Sequence, residues 1–451
     1  MMPRIFCGTF EAEAYWREAD LAKLPTLPDG DFSRVVAAMD EMLFAFCGPD
    51  DAVLTARCMD DAHADYLHAI GFPFRRNPFD LAPPDDEGRV ADAGVAPNVF
   101  QRMVEEPFTE RLAASCPAGA RLEPFAVLPG TAEVARRYGW LGVFPSQEII
   151  RAVNTKNYSL RMRDCLGIRN PGVTVHDVAS LLDRGATLLE HGPILVKDDY
   201  GVSGKGNQRI ETHRSLERIA KHLSAQVAAG WRVRFILEPY LRKRSDFSCQ
   251  FHIDDDGEVR LISVQELVNN GLAFGASCTA GPDLLDRLER DGYFRTIKAM
   301  GSTMYADGYR GDVCVDSMIL HDGELFPLVE INARKSMSLI KHAIDESLRR
   351  VGRKGCLTYV SAVNDRSGDF AQLLGLLERE GLLFSTARDT GIIPLTSGTM
   401  YLRSGADRKE PVRGRLYVAA VAEGPDQHAS LLAGLGRVME QAGLRVTHPG
   451  R

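Results

Sequence analysis

Residues 246–331 carry the tightest constraint on the fold, because long apolar runs there are separated by glycine-ended turns. Asp246–Ile253 and Val259–Gln265 flank the turn Asp255–Gly257. Val313–Leu320 and Glu324–Ile331 flank His321–Gly323. Short turns of this kind join neighbouring strands head to tail, so the region predicts antiparallel hairpins in one sheet. Two further runs, Ile194–Lys197 and Arg234–Glu238, read as strands upstream.

Residues 1–150 have a different texture. Short apolar runs at Arg4–Phe6, Ala52–Thr55 and Pro124–Leu128 alternate with helical stretches, which predicts an open α/β layer. Pro78–Pro97 is rich in Pro, Asp and Gly and reads as a surface loop. The tail, 355–451, reads as a small α+β unit. Leu357–Val363 is a strand, Asp369–Glu380 a helix, and Gly398–Leu402 with Arg415–Val421 a strand pair. The helix Gln427–Ala442 and the strand Leu444–Thr447 complete a β-α-β-β-α-β order, which would be ferredoxin-like. The expected units are therefore 1–150, 151–350 and 355–451.

Composition narrows the functional classes. With 45% apolar and 25% charged residues, a chain of 451 residues is an ordinary folded protein of several units. Its net charge of -7 is spread without a basic block, which argues against a nucleic-acid partner. The nine cysteines are scattered, form no CxxC pair and are odd in number, so neither a disulfide framework nor a zinc site is expected. No signal-peptide pattern or apolar run long enough to span a bilayer is present, so the expected setting is cytoplasmic, without a membrane partner.

Three segments carry chemistry. In Ile194-Leu-Val-Lys-Asp-Asp-Tyr-Gly-Val-Ser-Gly-Lys-Gly-Asn-Gln-Arg-Ile, a strand ends in Lys197 and leads into a loop with Gly201, Ser203, Gly204, Lys205 and Gly206. Glycines let successive backbone N–H groups converge on an anion, with Lys197 and Lys205 adding positive charge. The pattern is neither a Walker A loop, since Gly206 follows Lys205, nor a Rossmann turn, since no helix opens on the glycines. Taken alone it could equally be a plain hairpin.

In the second segment, Asp316 lies on one strand and Glu330 and Asn332 on the next. Residues two apart share a strand face, and antiparallel pairing can bring Asp316 opposite them. Three hard oxygen donors on one face suit Mg²⁺. The third segment, Glu238-Pro-Tyr240-Leu241 followed by Asp246, could meet an adenine edge and a ribose hydroxyl, or could be an ordinary strand end.

In this order the segments resemble the ATP-grasp superfamily, with Lys156 in Asn154-Thr-Lys-Asn-Tyr-Ser-Leu-Arg-Met matching the lysine that precedes the nucleotide unit. The likeness covers about 150–340 and is strongest at Glu330-Ile-Asn-Ala-Arg334; the three-part layout is similar to that of ATP-grasp peptide ligases. The resemblance implies a carboxylate–amine ligase that works through an acyl-phosphate on amino-acid or peptide substrates. ATP would lie on Lys156, Lys197, the 201–206 loop, Glu238, Tyr240, Leu241 and Asp246. Two Mg²⁺, for which Mn²⁺ can substitute, would lie on Asp316, Glu330 and Asn332. Arg334 and Lys205 would serve catalysis, and a homodimer is allowed. The glycine loop would double as a lid over the reacting groups. A small-molecule kinase and a non-catalytic nucleotide sensor are the alternative readings.

Overall fold

A computed structural model describes the chain except for residues 1, 26–29, 83–95, 107, 113–114, 202–205, 272, 366–368, 401–410 and 449–451. Its first sheet is parallel, with strands β1 (Arg4–Cys7), β2 (Ala52–Leu54), β3 (Arg75–Arg76) and β4 (Arg121–Pro124) in the order β3-β2-β1-β4. The expected strand Pro124–Leu128 is displaced: the ladder with β1 takes Arg121–Pro124 instead. The apolar residues after it are apolar for packing, with Phe125 stacked on Phe10 at 4.0 Å and Leu128 fully buried.

The second sheet is antiparallel and comprises β5 (Val173–Val175), β6 (Ile194–Asp198), β7 (Asn207–Ile210) and β8 (Phe235–Pro239), in the order β5-β8-β6-β7. Helices Val178–Leu189 and His213–Ala228 cover it, and Leu181, Leu216 and Leu223 meet Ile194, Val196 and Phe235 in its core. The short strand β7, with its single core-facing Ile210, carries too little apolar pattern to show in the sequence.

Nine strands make the central sheet. They are β9 (Lys243–Ile253), β10 (Val259–Asn270), β11 (Ala273–Thr279), β12 (Gly311–Leu320), β13 (Leu325–Asn332), β14 (Gly355–Asn364), β15 (Gly391–Pro394), β16 (Val412–Val421) and β17 (Leu444–His448). Their order is β13-β12-β9-β10-β11-β14-β16-β15, with β17 also on β14, and every pairing is antiparallel. The tail follows the β-α-β-β-α-β order, and its strands are continuous with the central sheet through β11 and β14. Its second strand is Gly391–Pro394, not Gly398–Leu402. Gly398–Met400 is a short helical turn and 401–402 fall outside the described residues.

The cysteine expectation also needs correction, because Cys278 and Cys356 form a disulfide. Strands β11 and β14 run side by side there, bringing the two Cα atoms to 4.6 Å although 78 residues separate them in the chain. Spacing alone could not reveal that neighbourhood. No helix among the described residues is long and apolar enough to cross a membrane.

The two faces of β9, β12 and β13 differ sharply, because side chains alternate along a strand. One face presents Phe247, Cys249, Phe251, Ile253, Val313, Val315 and Ile331 to Tyr293, Ile297, Met300 and Met304 of the helix Tyr293–Ala306. That helix lies close enough that a Cβ on Gly301 would sit 2.6 Å from Val259. The other face carries Asp246, Ser248, Gln250 and His252 beside Asp312, Cys314 and Asp316, then Glu330 and Asn332. Phe251 is wholly buried at the helix contact. Phe251→Ala should therefore cost about 3–5 kcal/mol, read from the shift in chemical denaturation midpoint. A loss below about 1 kcal/mol would show that this face is not the core.

Candidate functional site

The helix Lys156–Cys165 lies along β13, the edge strand of the central sheet, and its side chains satisfy that edge. Ser159 Oγ accepts from Ile331 N at 3.0 Å, and Asn154 Oδ1 accepts from Ala333 N at 2.8 Å. Arg163 donates to the carbonyls of Leu328 (2.9 Å) and Val329 (2.8 Å). Thr155 caps the helix and accepts from Tyr158 N, which fixes where the helix starts. Lys156, on the first turn, points its ammonium group at Glu330 Oε1 (2.9 Å) and Gly201 O (2.7 Å). Burial works to lower its pKa, but the Glu330 charge overcomes this and raises it, so the lysine stays cationic.

The hairpin β6–β7 carries Lys197 and the neck of the glycine loop. Asp198 N donates to Gly206 O at 2.6 Å, and a Cβ on Gly201 would lie 2.5 Å from the Gly206 Cα. Only glycine fits at both positions of this neck. Ser203, Gly204 and Lys205 lie outside the described residues. The two aspartates after Lys197 are used for structure. Asp199 accepts from Asn157 N (2.9 Å) and pairs with Arg234 (2.7 Å), while Asp198 pairs with Arg17.

Glu238 lines the cavity, and its carboxylate is held by Lys197 and by Arg163 Nη1 (2.7 Å). Burial works to raise its pKa, yet the two cations hold it at about 2. Arg163, missed in the sequence, stands seven residues after Lys156 and so on the same helix face; that spacing was the available signal. At the neighbouring positions, Tyr240 N donates to Pro193 O at 2.8 Å. Asp246 accepts from Asn269 Nδ2 (2.7 Å) and from Lys243.

Asp316 stands directly opposite Glu330 in the β12–β13 ladder, and the register shifts between Asp316 and Met318. The bulged residue, Ser317, turns to the buried side and bonds Tyr293 OH (2.8 Å) and Pro327 O (2.9 Å). Asn332 Nδ2 donates to Asp316 Oδ2 at 3.2 Å. Burial, and then the facing Glu330 charge, push the Asp316 carboxyl up to about 7. Arg334, just past the strand, donates to Asn332 Oδ1 (3.2 Å) and to Glu13 Oε1 through Nε (2.9 Å) and Nη2 (2.5 Å). Glu13 is buried and 321 residues away in sequence, so nothing local pointed to it.

These groups share one cavity of 280 Å³. Lys197, Gly201, Glu238, Tyr240, Leu241, Asp246, Asp316, Glu330, Asn332 and Arg334 line it, together with Glu13. Lys156 and Gly206 flank it through Glu330 and Gly201. Phosphate-sized anions would meet lysines at one end, and the paired carboxylates lie beside them.

No family model matches the chain. It is 25% identical over 318 residues to the butirosin acyl-carrier-protein–L-glutamate ligase of Niallia circulans, spanning 69% of this chain and 67% of that protein. Among solved structures it resembles the ADP complex of an N5-carboxyaminoimidazole ribonucleotide synthetase, with a TM-score of 0.51 at 11% identity over 98% of both chains. It also resembles an L-amino acid ligase from Bacillus licheniformis, with a TM-score of 0.50 at 13% identity, covering 100% of this chain and 99% of that one. The architecture is that of the ATP-grasp fold.

The Glu238 pairing makes a pH prediction. Its folded pKa of about 2 lies below the ordinary 4.5, so its stabilising contribution is complete above about 4.5 and is lost as pH falls toward 2. Denaturation midpoints measured between pH 6 and pH 2, in the range set by that shift, should fall more steeply for the wild type than for Glu238→Gln. Parallel curves would contradict the buried pairing.

Proposed function

We propose that this chain, an ATP-dependent carboxylate–amine ligase of the ATP-grasp fold, activates a carboxylate as an acyl-phosphate and passes the acyl group to an amine. Amino acids or peptides are the substrate class we assign. The observation that carries this is the Asp316–Glu330 pair set beside Lys156, with Arg334 at the end of the same strand. The ligase relatives support it, and structures of the same fold solved with ADP support ATP use.

The donor set fits Mg²⁺. Asp316 stands opposite Glu330 on one face of the cavity, with Asn332 Nδ2 donating to it, so an ion seated there would meet both carboxylates. Asn332 adds an amide oxygen, and no group of three His, Cys, Asp or Glu exists among the described residues to hold a metal by itself. Asp316, Glu330 and Asn332 would therefore hold an ion whose remaining positions go to water and phosphate oxygens. When bound, Mg²⁺ would offset charge on the transferring phosphoryl group.

The chain's own residues do the rest. Lys197 and Lys156 are held in place by Glu238 and Glu330, so their ammonium groups are positioned for phosphate before it arrives. Arg334, held by Glu13, presents its guanidinium toward the cavity, where it would orient the substrate carboxylate and later balance the oxyanion of the tetrahedral intermediate. The carboxylate oxygen attacks the γ-phosphorus, the bond to the ADP oxygen breaks, and the acyl-phosphate remains beside Arg334. Lys205, Ser203 and Gly204 complete the phosphate loop in this proposal. A cytoplasmic setting suits the consumption of ATP.

The test uses ATP, Mg²⁺ and a panel of standard L-amino acids, with nucleotides resolved by chromatography. ADP and phosphate are expected, and Glu330→Gln should lower their formation by at least about 100-fold while leaving the fold intact. AMP with pyrophosphate would contradict the acyl-phosphate, and a Glu330→Gln rate within about tenfold of wild type would contradict the site.

A further inference from the structure

The polar face of the central sheet continues past the carboxylates. On β12, Asp312 lies four residues before Asp316 and so on the same face, and its partner across the β9 ladder is His252. A second cavity of 490 Å³ opens at this end, walled by the β4 end of the first sheet and by the turn before β12. His252, Asp312, Tyr309 and Lys335 line it, and so does Arg334, which thereby lines both cavities. None of the first four has a part in holding the nucleotide.

Their arrangement is specific. His252 Nδ1 lies 2.7 Å from Asp312 Oδ1, and Lys335 Nζ lies 2.8 Å from Asp312 Oδ2. Lys335 also donates to Pro124 O at 3.2 Å and sits 3.7 Å from Glu123. Burial works to raise the Asp312 pKa, but Lys335 and His252 hold it well below the usual carboxylate range. Asp312 is thus a permanent acceptor, and a neutral imidazole bonded to it carries its proton on Nδ1. Nε2 is left with the lone pair, on a ring about a quarter exposed, with Asp254 Oδ1 at 3.5 Å as its other charged neighbour. A histidine oriented by a half-buried carboxylate on one nitrogen, with the other beside the Asp254 carboxylate, is equipped to take a proton.

Resting on the ligase reading above, we infer that the second cavity admits the amine substrate and that His252 is the base for its attack, with Asp312 as the positioning residue. As the amine lone pair forms the C–N bond, Arg334 faces the acyl group from between the two cavities. The proton on the attacking nitrogen passes to His252 Nε2. The C–O bond to phosphate breaks, phosphate leaves with its electron pair, and the imidazolium returns its proton to water.

The experiment compares two amines on the full-length enzyme with ATP, Mg²⁺ and the standard L-amino acids as carboxylates. Hydroxylamine attacks acyl-phosphates without a base, whereas glycinamide is an ordinary amine with no carboxylate of its own. His252→Gln should cut glycinamide coupling by about 100-fold or more and leave ADP and hydroxamate formation with hydroxylamine within about twofold of wild type. His252→Ala should regain coupling when imidazole is added, which a purely structural role would not allow. Equal loss with both amines overturns the assignment, as does glycinamide coupling no faster in wild type than in the variant. Absence of ADP and hydroxamate from wild type would instead contradict the ligase reading, so the two failures are distinguishable.

Discussion

Everything in the site depends on how one sheet edge is closed. β13 is the terminal strand of a nine-stranded sheet, and such an edge leaves backbone groups in need of partners. Side chains of Asn154, Ser159 and Arg163 supply them, so the helix Lys156–Cys165 is aligned to β13 residue by residue. That alignment delivers Lys156 to Glu330 and Arg163 to Glu238, joining the central sheet to the second sheet at the cavity. A satisfied edge and a positioned pair of cations are the same set of bonds.

The strands also separate stability from chemistry by their alternation. Phe247, Cys249, Phe251 and Ile253 of β9 and Val313 and Val315 of β12 build an apolar contact with the helix Tyr293–Ala306, while Asp246, Ser248, Gln250, His252, Asp312 and Asp316 between them supply the polar surface. The bulge at Ser317 keeps both functions in register: Ser317 bonds Tyr293 below, and Asp316 stays opposite Glu330 above. Buried charge is costly unless paired, and the site pairs nearly all of it, as Lys197 with Glu238, Arg334 with Glu13, and Lys335 with Asp312. The exception is Asp316, which faces Glu330 while Glu330 itself is bonded to Lys156, and this is the physical reason to expect a cation there.

What could be read from the sequence was local. The hairpins, the pair Glu330 and Asn332, and the strand-borne Lys197 all follow from period-two patterns within about ten residues. Partners brought together by the fold were invisible. Glu13 reaches Arg334 across 321 residues, Arg163 reaches Glu238 across 75, and Cys278 meets Cys356 across 78. Glu238 shows the limit most clearly, since its position was legible but its partners, Lys197 and Arg163, were not. The tail order was readable, but β15 was not, because four residues ending in Pro394 make too short a pattern.

The central claim is that a carboxylate oxygen attacks phosphorus and leaves with the phosphate. Supplying the carboxylate substrate labelled with oxygen-18 in both oxygens tests this directly, by mass spectrometry of the products. The account predicts one labelled oxygen in inorganic phosphate and the other in the amide carbonyl, with unlabelled ADP. Label in AMP, or phosphate without label, would contradict it.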